Sequence, residues 1–284
     1  MQIISDINRM QKLANQWRRD GKTIGFVPTM GYLHEGHLSL FRIARPKCDI
    51  LVISIFVNPT QFGENEDLDK YPRDFERDKK LCEKEEVDVI FYPVANEVYA
   101  EPYLTYVNVD KITKTMCGIS RPTHFRGVST IVCKLFNIVK PHFAVFGQKD
   151  YQQLLVIKQM VKDLNFDIEI LEGPIVREND GLAMSSRNRY LNPQERKDAT
   201  ILYKSLQLAR ELIESGIRNP AVVQMKMEQA IQKVPSASVD YIAIVDGKTL
   251  EPVNEIKDYT LIALAVFIGN ARLIDNMLIR LPNQ

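Results

Sequence analysis

The chain has 284 residues, 45% hydrophobic and 26% charged, with a formal net charge of +1. That length can bury one large core or two ordinary ones, and the composition excludes a mainly disordered chain. The near-neutral balance gives no whole-chain electrostatic reason for a nucleic-acid or membrane partner.

Ser5 or Asp6 can cap a first helix whose apolar positions Ile7, Met10, Ala14 and Trp17 follow helical spacing, with Gly21 ending it. Thr23–Val27 reads as a short buried strand that Pro28 stops. The loop through Gly31 and Gly36 delivers His34 and His37 to the start of an apolar-periodic segment, Leu38–Arg45. Ile50–Val57 is a nearly continuous apolar run, the pattern of a strand covered on both faces. Residues 58–73 form a polar loop long enough to suggest a functional or lid segment. A helix over Asp74–Glu86 and a strand over Val87–Tyr92 follow, then, with Pro102, Gly118, Pro122 and Gly127 breaking the pattern, irregular structure with short strands from Val94 to Val128. Ser129–Val139 reads as helix, Phe143–Phe146 as strand, Gly147–Asp150 as a turn, Tyr151–Leu164 as helix and Ile168–Leu171 as strand. Beyond about residue 175 the rhythm changes. Arg177–Arg189 is a polar loop, Asn192-Pro193-Gln194-Glu195 starts a helix to Ser215, and Asn219-Pro220 starts another to Val234. Val239–Val245, Leu261–Ile268 and Ala271–Ile279 alternate as an antiparallel sheet would.

The first half therefore predicts an α/β fold, a Rossmann-like parallel sheet over residues 1–175, and the second a smaller α+β lid domain over 176–284. Ligands of such sheets bind beyond the carboxyl ends of the strands, where the loops after Val27, Val57 and Phe146 all open. Four cysteines, Cys48, Cys82, Cys117 and Cys133, lie far apart without a Cys-x-x-Cys pair, as reduced thiols of a cytoplasmic protein do. The N-terminus lacks the pattern of an export signal, and no apolar run approaches the ~20 residues of a membrane span.

The strand-loop-helix segment GFVPTMGYLHEGH, residues 25–37, suits phosphate handling. A helix N-terminus offers unpaired N–H groups and the positive end of the macrodipole beside the two imidazoles. A surface or core pair of histidines looks the same in isolation, and no third ligand stands near at metal-site spacing. Neither a Walker A loop nor GxGxxG is present. Lys149, at a strand-to-helix turn, is a compact cation suited to phosphate, although turn lysines are commonly just solvated. Ser185-Ser186-Arg187 supplies two hydroxyls and a planar fork of donors, which is also ordinary loop composition. Gln61 and Gln153 are neutral amides able to bind hydroxyl and carboxylate groups, or to cap their own loops.

The quartet His34-Glu35-Gly36-His37 resembles the HxGH signature of the nucleotidylyltransferase superfamily. The longer run PTMGYLHEGH (28–37), with FVNPTQF (56–62), YPRDFERD (71–78), RPTHFRGV (121–128), FGQKDYQQ (146–153) and GLAMSSRN (181–188), resembles the pantoate–β-alanine ligase family. That resemblance implies ATP-dependent condensation of pantoate with β-alanine through a pantoyl adenylate, with Mg²⁺, in a typically homodimeric enzyme. It implies ATP contacts at Met30, Gly31, His34, His37, Gly147, Gln148, Lys149, Asp150, Val176, Met184, Ser185, Ser186 and Arg187. His34, His37, Lys149 and Arg187 would be catalytic, with His37 the proton donor. Gln61, Gln153, Asn58, Met30 and His124 would hold pantoate or β-alanine, and Asp78 would lie near the magnesium. The lysines of the superfamily's KMSKS-type loop are absent, so arginine and hydroxyls would replace them, and Thr123 stands where glycine is also common. Another HxGH nucleotidylyltransferase, or a binding module descended from a synthetase, are the competing readings; amide formation and ATP turnover separate them.

Overall fold

The first strand is one that periodicity did not reveal: Gln2–Ile4 (β1), in which only Ile4 is buried. The computed structural model describes residues 1–64 and 66–281; Asn65, in the expected 58–73 loop, and residues 282–284 of the expected lid domain lie outside the described residues. Asp6 caps α1 (Ile7–Arg19) by accepting from Arg9 N at 2.5 Å, and Met10 and Ala14 are its buried face. Then follow β2 (Ile24–Thr29), α2 (Glu35–Ala44), β3 (Ile50–Ile55), α3 (Phe75–Lys84), β4 (Val89–Phe91), the single turns α4 (Ala95–Val98) and α5 (Cys117–Ser120), α6 (His124–Val139), β5 (Phe143–Gly147), α7 (Tyr151–Asp163) and β6 (Glu169–Gly173). After them come α8 (Pro193–Asp198), α9 (Ile201–Glu214), α10 (Pro220–Ile231), β7 (Ala237–Asp246), β8 (Thr260–Ile268) and β9 (Ala271–Leu278).

The chain divides into two units. The first comprises Met1–Thr113, Arg121–Gln148 and Gln153–Pro174; the second takes Lys114–Ser120, Lys149–Gln152 and the chain from Ile175 on. In the first unit the strands are all parallel, in the order β1-β4-β3-β2-β5-β6. From β2 the sheet grows through β3 and β4 on one side and through β5 and β6 on the other, so the topological switch point lies between β2 and β5. One face packs Val27, Ile53 and Val145 against Leu38 and Phe41 of α2 and Cys82 of α3. On the other, Phe136 of α6 meets Phe26 and Phe146 edge-on, with both centroid distances 6.4 Å.

Pro28 does not end β2 as expected; it pairs with Ser54. Carbonyls of Thr23 and Thr29 accept from β3-side amides, that of Ile24 from His142 on the β5 side. By alternation the donor Pro28 lacks would face β5, beyond Phe26, the last residue of β2 that β5 pairs. The short strands expected over 94–128 are absent among the described residues, and α6 begins at His124, not Ser129. Gly127, which reads as a breaker, lies inside the helix, and the position takes glycine because a Cβ there would meet Thr60 O at 2.3 Å.

In the second unit β7, β8 and β9 form an antiparallel sheet in that order. Its apolar face, including Ile242, Leu264 and Val266, packs on Leu206, Ala209, Val223 and Met227 of α9 and α10. The helix expected to run from Asn192 to Ser215 is split, because the backbone tightens at Ala199-Thr200 and Thr200 Oγ1 donates to the Lys197 carbonyl at 2.8 Å. Its start is as expected, with Asn192 and Glu195 in a reciprocal capping box. No helix among the described residues is long and apolar enough to cross a membrane, and the four cysteines are unpaired.

Candidate active site

The loop after β2 is held in an unusual shape. Gly31 and Tyr32 both have positive φ, +80° and +50°, and a non-glycine residue there is strained by about 1–2 kcal/mol. Asp78 compensates: its carboxylate, 1% exposed, accepts from Tyr32 N at 2.6 Å and Leu33 N at 2.8 Å. The Arg77 guanidinium lies over the Tyr32 ring at 5.1 Å. A Cβ on Gly31 would sit 2.9 Å from Ile55 Cγ2 and 3.1 Å from Asp78 Oδ2, so glycine is required by space as well as by φ. Burial raises the Asp78 pKa from its ordinary value, against the two backbone donors, which lower it. Asp78, expected near a magnesium ion, is also a buried anchor of this loop. Among the described residues no group of three or more His, Cys, Asp and Glu side chains is gathered to hold a metal by itself.

The anchored loop delivers His34 as the N-cap of α2. His34 Nδ1 accepts from Gly36 N at 3.2 Å, and His37 Nδ1 accepts from His34 N at 3.3 Å, closing a capping box made of imidazoles. The ring centroids are 4.1 Å apart. A ring nitrogen that accepts from a backbone N–H carries no proton, so each neutral ring bears its proton on Nε2. Two directed N–H donors thus accompany the helix-end amides at the carboxyl edge of β2, beside the switch point.

The loop after β3 supplies the amides. Asn58, 1% exposed, donates from Nδ2 to Gln61 Oε1 and to the Gly127 carbonyl, both at 3.1 Å. Gln61 in turn donates from Nε2 to Met30 Sδ at 2.9 Å. Its backbone carbonyl is gripped by His124 Nδ1 at 2.9 Å and Arg121 at 3.2 Å, and Arg121 is paired with Glu66. His124, expected to touch substrate, holds the backbone of Gln61 through one ring nitrogen. At the end of β5, Gln148 bonds Glu172 at 2.7 Å. Gln153 is half-buried on the first turn of α7 and makes no side-chain hydrogen bond among the described residues.

Lys149 and Asp150 belong to the second unit, where their charges lie 3.6 Å apart. Asn276 donates to the Lys149 carbonyl at 2.9 Å. The neighbouring Asp275, with its side chain 1% exposed, pairs with both terminal nitrogens of Arg177 at 2.6 and 2.9 Å, and Arg177 stacks 4.1 Å from the Tyr203 ring centroid. Arg177 starts the loop carrying Met184, Ser185, Ser186 and Arg187. Met184 N bonds the Val176 carbonyl at 3.0 Å, and Ser185 Oγ accepts from Arg187 N at 3.2 Å. Sequence reasoning missed Asp275 and Asn276; two adjacent polar residues inside the apolar strand β9 were the available signal.

The comparisons with known proteins agree with one another. A family model described as pantoate-beta-alanine ligase matches residues 2–278. A pantothenate synthetase of Caldicellulosiruptor bescii is 58% identical over 279 residues, covering 98% of this chain and 99% of the relative. One from Thermotoga petrophila is 56% identical over 279 residues, covering 98% and 100%. The crystal structure of the Thermus thermophilus pantothenate synthetase matches with a TM-score of 0.94 at 43% identity, over 99% of this chain and 100% of that one. A pantoate-beta-alanine ligase of Francisella tularensis, complexed with beta-gamma ATP and beta-alanine, matches with a TM-score of 0.81 at 34% identity, over 98% and 97%.

Proposed function

The chain belongs to the pantoate–β-alanine ligase family, and on that footing we propose that it forms pantothenate in two steps. A pantoate carboxylate oxygen attacks the α-phosphorus of ATP; the bond to the bridging oxygen breaks, giving pantoyl adenylate and pyrophosphate. The β-alanine amine then attacks the acyl carbon, loses a proton and expels AMP. Adenylation supplies the leaving group a carboxylate lacks.

The observation that carries this reading is the imidazole capping box, with both Nδ1 atoms taken by backbone N–H groups at the start of α2. Donors oriented before the substrate arrives stabilise the growing phosphate charge without reorganising. His34 and His37 donate hydrogen bonds from Nε2 to phosphate oxygens, His37, the expected proton donor, doing so as a neutral ring that keeps its proton, while Lys149, Ser185, Ser186 and Arg187 bind the triphosphate. Met30, Gly31, Gly147, Gln148, Asp150, Val176 and Met184 complete the nucleotide contacts. Gln61, Gln153, Asn58, Met30 and His124 hold pantoate or β-alanine, His124 also bonding the backbone carbonyl of Gln61. Mg²⁺ comes with the triphosphate and neutralises phosphate charge when bound. In this reading residues 1–175 carry nucleotide binding and catalysis, residues 176–284 act as the lid, and the enzyme is a cytoplasmic homodimer.

The test is pantoate-dependent exchange of labelled pyrophosphate into ATP with β-alanine omitted. Exchange requiring pantoate and Mg²⁺ is expected; its absence in folded, ATP-binding protein would overturn the adenylate step.

A further inference from the structure

The amide of Gln61 has an orientation set from outside the site. A side-chain amide is nearly symmetric in shape, so only its partners decide which end is the carbonyl and which the NH2. Gln61 turns Oε1 to Asn58 Nδ2 and Nε2 to the acceptor-only sulfur of Met30. Asn58 is oriented in the same way one layer further out. Its Oδ1 accepts from Tyr99 OH at 2.7 Å and from Thr60 Oγ1 at 3.0 Å, while its Nδ2 serves Gln61 and the Gly127 carbonyl. Reversing Asn58 would aim its carbonyl at two oxygens, and Gln61 would then lose its reason to keep Nε2 toward Met30.

Tyr99 is well placed to hold this order. Its ring stands edge-on to Tyr103 at 4.9 Å and lies 6.4 Å from Phe56, with Lys134 Nζ 5.7 Å from its centroid. Burial pushes its hydroxyl up to about 12, so it keeps its proton at neutral pH. Thr60 Oγ1 also lies 3.0 Å from Tyr99 OH, either able to donate, so the two hydroxyls share Asn58 Oδ1, with the shorter bond from Tyr99.

We propose that Tyr99 is a positioning residue for pantoate: together with the Gly127 carbonyl, which as a pure acceptor demands Nδ2, it holds Asn58 so that the Gln61 NH2 is presented to the oxygens of the hydroxy acid. This rests on the assignment of Gln61 to pantoate made above. The second N–H of Nε2 matches a hydroxyl or carboxylate oxygen, whereas a reversed amide would set its carbonyl oxygen against the carboxylate. Sequence patterning gave no hint of this relay, since Tyr99 lies 41 residues beyond Asn58 in an irregular segment.

The experiment is Tyr99→Phe, which keeps the ring and its contacts, combined with Gln61→Ala in a double-mutant cycle. Losing one buried hydrogen bond should raise the pantoate KM about three- to ten-fold, with the ATP KM unchanged. In the Gln61→Ala background the same substitution should add nothing. An unchanged pantoate KM, equal shifts in both KM values, or a full Tyr99→Phe effect without Gln61 would each overturn the relay. The side-chain amide resonance of Gln61, assigned by its loss in Gln61→Ala, gives a second measure in the enzyme without substrate. It should shift in Tyr99→Phe, and an unmoved resonance overturns the relay too. Should Gln61→Ala leave the pantoate KM unmoved, the pantoate assignment fails instead, and the resonance alone decides whether Tyr99 orients the amide.

Discussion

Gly127→Ala sets two effects of opposite sign against each other. In an open helix interior, alanine is better than glycine by about 1 kcal/mol. At this position the added methyl would lie 2.3 Å from Thr60 O, 2.5 Å from Thr60 C and 2.6 Å from Gln61 Cα, all of them backbone atoms. Carbon contacts are comfortable at about 3.5 Å, so α6 and the 59–61 turn must part by roughly 1 Å. Overpacking of this kind costs about 1–3 kcal/mol, which cancels or exceeds the propensity gain. The displaced element is the one that carries Gln61, and a 1 Å misplacement in a site can cost about 100-fold in rate. We therefore expect a lower Tm and a steep fall in kcat/KM for pantoate in the pyrophosphate exchange assay, with nucleotide binding much less affected. A variant with a raised Tm and unchanged pantoate kinetics would refute the close approach and the positioning argument built on it.

His37→Ala should slow single-turnover adenylate formation by about 10²–10³-fold, as loss of an oriented transition-state donor does, while the circular dichroism spectrum stays native. Adenylate formation at the normal rate would remove the ring from the chemistry. Asp275→Ala should cost about 1.5–3 kcal/mol in denaturant unfolding, because it takes a buried, two-point charged partner from the half-buried Arg177 guanidinium; a loss under about 1 kcal/mol would mean that water already serves Arg177. Glu66 feels burial, which raises its pKa, but the Arg121 guanidinium outweighs this and holds it below the ordinary glutamate value. A carboxylate lowered in the folded state adds stability above its unfolded pKa and loses it as pH falls through the folded one. Glu66→Gln should accordingly be less stable than the parent at pH 6, and the gap should close at pH below 4.5; a gap that persisted at pH 2 would show that the pair is not the source.

Regular alternation in the sequence predicted the parallel sheet well, because strands such as Ile50–Ile55 are apolar on both faces and α/β crossovers leave few topologies. What stayed hidden depended on partners distant in sequence. β1 is three residues long and buries one side chain, so it exists only by pairing with β4. Pro28 was read by its missing donor alone, and only the extent of β5 pairing shows that nothing there needed it. Gly127 was read as a breaker because the 59–61 turn that requires a glycine lies 66 or more residues upstream. In the site, His34, His37 and Gln61 could be singled out by residue type and motif. Asp78 could be singled out too, but its role could not: a carboxylate in a charged helix gives no sign that its oxygens hold Tyr32 and Leu33.

The imidazole box at the head of α2 also bears on how these two positions tolerate exchange. A helix start normally asks for a small polar cap and, three residues on, for a Glu or Gln reaching back. His34 and His37 occupy those places, so alanine at either one deletes a structural bond together with a reactive group. Asparagine at 34 and glutamine at 37 would keep the acceptor each backbone N–H requires while removing the ring. Such swaps separate the cost of fraying the helix from the cost of losing the chemistry, two quantities that alanine scanning at these positions necessarily merges.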